Sequence, residues 1–212
     1  MNKSSRQAAG LLRQSLYLML LAVTTAATAD DAALYGPEAP PGSAFIRIFN
    51  ATPTTIGDAS VAGKPFRKLA QYEASDFQFV ANGSYVLKIG EATEQVPMRS
   101  GKYYTATVDS NGIKVHELTP PENRLKALVM VFNLTGRPGI ALKTQDGEQI
   151  ITKAGIGEFG RRAVNAIRVE MALYDAEQKL ADTRPVNFSR GRAYSLFVTE
   201  GQGAPKLTWV ID

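Results

Sequence analysis

The sequence predicts an all-β protein built as two tandem β-sandwich-like domains, and three observations carry that reading. The first is an internal duplication: Ala44-Phe-Ile-Arg-Ile-Phe-Asn50-Ala-Thr52 returns 83 residues later as Ala127-Leu-Val-Met-Val-Phe-Asn133-Leu-Thr135. A second pair, Val96-Pro-Met-Arg-Ser-Gly101-Lys-Tyr-Tyr104 and Val186-Asn-Phe-Ser-Arg-Gly191-Arg-Ala-Tyr194, recurs at a spacing of 90. Solenoid units recur every ~20 to 50 residues, so these spacings mean duplicated domains. The second observation is a series of short β-branched and aromatic runs, and the third is frequent turn residues with no helical period.

The elements follow in order. Lys3, Arg6 and Arg13 precede an apolar run from Leu16 to Val23 and the small residues Ala27-Thr28-Ala29. That is the order of a cleavable export signal over residues 1–29, and the run is far short of the ~20 residues that span a bilayer. The segment holds three bases and no acid, so the formal charge of +4 falls to +1 once it is removed. A nucleic-acid partner thereby loses its electrostatic basis. An exported chain with no cysteine must be held by its core alone, which fits a bacterial periplasmic protein better than a small disulfide scaffold.

Residues 30–42 carry three prolines and two glycines and read as an extended arm. The first domain, 43–118, has strand signals at Phe45–Phe49, Tyr85–Ile89, Tyr103–Val108 and Ile113–Leu118. Asn82-Gly83 and Asn111-Gly112 read as hairpin turns, because Asn and Gly tolerate positive φ. A proline-rich linker, 119–123, leads into the second domain, 124–212. There the runs are Leu128–Phe132, Ala141–Thr144, Gln149–Thr152, Arg168–Tyr174, Val186–Phe188, Tyr194–Thr199 and Leu207–Ile211. In Arg168–Tyr174, Val169, Met171 and Leu173 share one face, as in a half-buried strand. The growth in spacing from 83 to 90 adds seven residues to the second copy, and the glycine-rich stretch 153–162 is the expected loop that holds them.

Few residues carry chemistry. Gly155-Ile-Gly157-Glu-Phe-Gly160 matches a dinucleotide fingerprint by letter, but no strand–helix context accompanies it, so it reads as a loop. His116 is the only histidine. Alternation places Ile113, Val115 and Glu117 on one strand face and Lys114, His116 and Leu118 on the other, and His116 is expected on the surface. A hydrolase or acyl transferase needs a nucleophile activated by an oriented base, and no nucleophile elbow is present. One histidine without cysteine offers no transition-metal cluster, and no cofactor is called for.

Basic residues could still hold an acidic polysaccharide, with Lys64, Arg67 and Lys68 in the first copy and Arg161, Arg162, Arg190 and Arg192 in the second as candidates. Acids are almost as numerous, which makes most of these solvated surface charges. Trp209 alternates with Leu207 and Ile211 as a core residue would, and the equivalent Tyr104 and Tyr194 read as structural. The Asn-x-Ser/Thr triplets at Asn50, Asn82, Asn133 and Asn187 read as turn formers at strand ends rather than glycan acceptors.

One resemblance is specific. Asp31-Ala-Ala-Leu34-Tyr35-Gly36-Pro37 with Gly42-Ser43-Ala44-Phe45-Ile46-Arg47 resembles the mature start of the AlgF family of alginate O-acetylation accessory proteins. The likeness continues through Lys126-Ala127-Leu128-Val129, Ala172-Leu173-Tyr174-Asp175 and Phe197-Val198-Thr199. It implies a periplasmic, non-catalytic protein working with the acetyltransferases AlgJ and AlgX and the membrane protein AlgI. An adaptor that docks the acetyltransferases is the reading adopted; an alginate-binding module and an enzyme that relays acetyl on a side chain are the alternatives. Leu34, Tyr35 and Pro37 in the arm are the expected partner-binding residues, because a pre-extended arm with an aromatic anchor loses little entropy on docking.

Overall fold

Every regular element among the described residues is a β-strand. The computed structural model describes residues 39–120 and 123–212. The expected signal segment 1–29 lies outside them, as do Leu34, Tyr35 and Pro37, the expected partner-binding residues. The first copy contributes β1 (Ala44–Asn50), β2 (Ala59–Val61), β3 (Lys64–Pro65), β4 (Gln78–Val80), β5 (Gly83–Ile89), β6 (Ala92–Met98), β7 (Tyr103–Asp109) and β8 (Gly112–Leu118). The second contributes β9 (Lys126–Leu134), β10 (Gly139–Thr144), β11 (Ile150–Gly155), β12 (Phe159–Asn165), β13 (Arg168–Val169), β14 (Met171–Asp175), β15 (Gln178–Asp182), β16 (Val186–Asn187), β17 (Ala193–Thr199) and β18 (Lys206–Ile211).

The duplication extends to topology. The first copy pairs sheets of order β4-β1-β7-β8 and β3-β2-β5-β6; the second pairs β12-β9-β17-β18 and β11-β10-β14-β15. In both, the first strand runs parallel to the penultimate one, β1 with β7 and β9 with β17, while every other pairing is antiparallel. Ile46, Ile48, Val61, Leu87 and Ala106 lie in the core between the first pair of sheets; Val129, Val131, Leu142, Leu173 and Leu196 lie in the core of the second.

A third apolar layer joins them. Phe49 and Leu118 of the first copy pack with Leu128, Met130, Phe132 and Phe197 of the second, so the two central sheets face each other. Both faces of β1, β7, β9 and β17 are therefore buried, so their burial does not alternate along the strand, and Arg47, Thr105, Thr107 and Ser195 are buried among the apolar residues.

Several expectations change. Asn111-Gly112 does close the β7–β8 hairpin, with Gly112 at φ 116°. Asn82-Gly83 does not form a hairpin: β4 and β5 belong to different sheets, and the dipeptide carries the chain across the sandwich. Residues 153–162 are not one loop: they hold the end of β11, a short turn and the start of β12, and so carry the chain from one sheet of the second sandwich to the other. Its glycines serve packing, since a Cβ at Gly160 would collide with the Lys153 carbonyl. Arg168–Tyr174 breaks at Glu170 into β13, paired with β16, and β14, paired with β10. Ala172 and Tyr174 are buried along with Met171 and Leu173, so this strand is covered on both faces.

The extra residues also sit elsewhere. Ala44 pairs with Val80 and its equivalent Ala127 with Val164; Tyr85 pairs with Val96, and Val169 with Val186. Ten residues separate Tyr85 from Val96, but sixteen separate Val169 from Val186. The insertion therefore falls largely in the β14–β15 hairpin and the turn Thr183–Pro185 that follows it.

Candidate functional site at the junction between the copies

Alternation along β1 turns Ile46 and Ile48 toward the first core and Phe45, Arg47 and Phe49 toward the other copy. On the opposing sheet Leu128, Met130 and Phe132 of β9 and Phe197 of β17 face back. Phe49 stacks on Phe197 at 3.8 Å between ring centroids, Phe197 on Phe132 at 4.6 Å, and Phe132 on Phe159 at 5.2 Å. This ladder binds the two copies into one body.

Within it lies Arg47, 0% exposed. Its guanidinium donates to Thr105 Oγ1 at 3.0 Å, to Ser195 Oγ at 2.7 Å and to Asp212 Oδ1 at 2.6 Å, and stands over the Phe77 ring at 4.7 Å. Thr105 belongs to its own copy, while Ser195 and Asp212 belong to the other, so one side chain ties both. Burial pulls the guanidinium below its ordinary pKa and pushes the Asp212 carboxyl above its own, while the mutual attraction of the pair opposes both shifts. The repeat equivalent of Arg47 is Met130, so the cation is present on one side only.

His116 is buried, which corrects the surface placement expected from its strand. Its Nε2 lies 3.2 Å from Thr107 Oγ1, and its ring meets Phe132 and Phe159 edge-on at 5.4 and 5.7 Å. Burial, helped by the charge of Lys114, lowers its pKa to about 4, so the ring is neutral at neutral pH. The strand face that alternation assigned to solvent is covered by the second copy. Thr107 is equally buried, and the hydroxyl is 3.3 Å from the Lys114 carbonyl as well.

Asn50 and Asn133 are fully buried plugs. Asn50 Nδ2 donates to the carbonyls of Thr54, Leu69 and Ala70, and its Oδ1 accepts from Thr52; Asn133 repeats this with Arg137, Ala154 and Thr135. Turn formation at the strand ends is thus their role, and neither amide is open to glycosylation. Tyr104 and Tyr194 likewise serve structure, their hydroxyls accepting from the Arg99 and Ser189 amides.

Two cavities border the junction. One, about 170 Å³, is mostly apolar, with Phe77, Tyr103, Leu118, Leu128 and Met130 around the Asp212 carboxyl. The other, about 640 Å³ and open, lies between β18, the inserted residues Ala181–Arg184, and the turn at Gln71 and Tyr72. The expected polysaccharide residues line neither. Lys64 donates to the Phe79 carbonyl and lies over that ring; Arg67 pairs with Glu73; Arg161 and Arg162 are exposed on β12; Arg192 precedes β17. Sequence reading missed Arg47, although a charge at the centre of an otherwise apolar strand, replaced by Met in the second copy, was a visible signal. No group of three or more metal-ligating side chains occurs among the described residues.

A family model described as Alginate O-acetyl transferase AlgF matches residues 17–195. The chain is 38% identical to the alginate biosynthesis protein AlgF of Pseudomonas aeruginosa over 200 residues, covering 93% of this chain and 92% of that one. Determined structures of the two AlgF domains from P. aeruginosa are also similar. The C-terminal domain shares 37% identity with a TM-score of 0.39 over 42% of this chain and 99% of that one; the N-terminal domain shares 28% with a TM-score of 0.34 over 40% and 100%. With one model spanning most of the chain and a relative matched nearly end to end, this protein belongs to the AlgF family of alginate biosynthesis proteins.

Proposed function

We propose that the chain is a non-catalytic periplasmic adaptor in alginate O-acetylation, docking or coordinating the acetyltransferases AlgJ and AlgX, with AlgI as a membrane partner. The observation that best supports this reading is the state of the only imidazole. His116 is buried under Phe132 and Phe159, and the hydroxyl it touches, Thr107, is buried with it. General-base activation of a nucleophile needs a substrate to reach the pair. Processing after Ala29 and docking through Leu34, Tyr35 and Pro37 of the arm belong to the same proposal. Direct capture of alginate by Lys64, Arg67, Arg161, Arg162 and Arg192 is the weaker reading, because these residues are spread over separate elements of both copies.

Co-purification of exported protein with each acetyltransferase tests the adaptor role, and capture is the expected result. Deleting residues 30–41 should weaken capture and lower polymer acetylation without stopping polymer production. A folded His116→Val variant should still support acetylation. Loss of acetylation in that variant, or the mass of one acetyl group gained by a Ser, Thr or Lys of this chain from an acetyl donor, would show a relay enzyme instead.

A further inference from the structure

The inserted segment of the second copy builds something the first copy lacks. In the first sandwich, β6 comes up against β8. In the second, the insertion ends in Ala181–Arg184, which stands off β18 and leaves the open groove of about 640 Å³. Four features of the groove have no partner or carry a cost. The Trp209 indole N–H is buried without an acceptor. Among the described residues Arg184 and Lys206 form no ion pair, while the nearby Asp182 is already paired with Lys179. Tyr72 is held at φ 61°, a left-handed conformation that is strained for a non-glycine residue, and Lys206 Nζ lies 5.8 Å from its ring centroid. The Asn50 backbone carbonyl accepts the Tyr72 amide at 2.8 Å and ties this turn to the end of β1.

The fourth feature is the β18 edge. The Asp212 amide donates to the Ala193 carbonyl, and the register pairs Val210 with Ser195 and Thr208 with Phe197. Alternate residues of an antiparallel strand point their amides the same way, so Thr208 and Val210 bond β17 while Leu207, Trp209 and Ile211 turn their N–H and C=O groups outward. Among the described residues β18 has no strand on that side.

We propose that this groove is a docking site for an extended, acidic segment of a partner protein, which adds as a strand to the outer edge of β18. The outward amides and carbonyls of Leu207 and Trp209 supply the ladder, Arg184 and Lys206 select carboxylates, and Tyr72 and Trp209 receive the side chains between them. This deepens the adaptor reading and rests on it: the partner is one of the acetyltransferases.

Binding of each purified acetyltransferase to the full mature chain is measured by titration calorimetry, for wild type and for Arg184→Glu/Lys206→Glu. The double variant touches only exposed charges and should keep its Tm within about 2 °C. Its affinity should fall by roughly tenfold or more. Leu207→Pro, which removes an outward amide and leaves the β17 ladder intact, should weaken binding as well if it stays folded. A photo-crosslinking residue at position 72 should label an acidic, non-helical stretch of the partner. Unchanged affinity in the folded double variant, or a crosslink to any other kind of segment, overturns the groove while leaving the adaptor role standing. Oligomannuronate that binds wild type and not the double variant would make the groove a sugar site and also overturn the proposal. Failure of the wild-type chain to bind any acetyltransferase would remove the adaptor reading itself.

Discussion

The two copies share strand order, sheet order and the unusual parallel pair, and among their sequence differences four bear on the junction and the groove. Arg47 answers to Met130, His116 to Val210, and Val115 to Trp209, while the hairpin after β13 is longer in the second copy. The first two differences sit in the layer between the copies. If both copies carried the arginine, two guanidiniums would share one dry layer, and burying like charges together is costly. One arginine with Asp212 from the other copy is instead satisfied by three acceptors. The last two differences sit at the outer edge of the second sandwich, where they open a groove. The sheet framework is thus common to both copies, while these four differences fall where the copies meet and where one of them is open.

The largest expected effects strike the shared layer. Phe197→Ala removes a ring stacked on both Phe49 and Phe132 and should cost about 3–5 kcal/mol in urea unfolding, with the single transition splitting as the copies uncouple. Arg47→Ala should cost a similar 3–5 kcal/mol, because Asp212 is left without its partner. Arg47→Met/Asp212→Asn, which gives the first copy the residue of the second, should recover most of that loss in the same assay.

His116→Val tests the asymmetry through pH. The folded-state pKa of about 4 is below the unfolded value near 6.5, so the unfolded chain binds the extra proton between them. Stability from the neutral ring is complete above about pH 6.5 and is lost as pH falls toward 4, by about 3 kcal/mol. Thermal melts across that window should show this slope in wild type and its absence in the variant.

Smaller effects distinguish the plugs. Asn50→Ala and Asn133→Ala should each cost about 1–3 kcal/mol, with Asn50 the larger because its amide serves three carbonyls rather than two. The smallest change is expected for Trp209→Phe, under about 1 kcal/mol by chemical denaturation, because the lost N–H had no acceptor in the free protein.

By itself the sequence determined the all-β class, the duplication, the central strands and the turn at Asn111-Gly112, because each is a local pattern repeated at a measurable spacing. It also exposed the lack of a second histidine or any cysteine. What only the tertiary structure decided was which faces are covered. Period-two alternation tells which side chains share a face, but it cannot say whether water or another sheet lies against that face. Alternation therefore places His116 at the surface, and it gives no sign that Arg47 lies in a strand buried on both sides. Residues 153–162 depart from the expected loop for a related reason: glycine signals a loop when only φ is considered, whereas Gly160 answers to the close approach of the Lys153 carbonyl, a contact made only once the chain crosses from β11 to β12 between sheets.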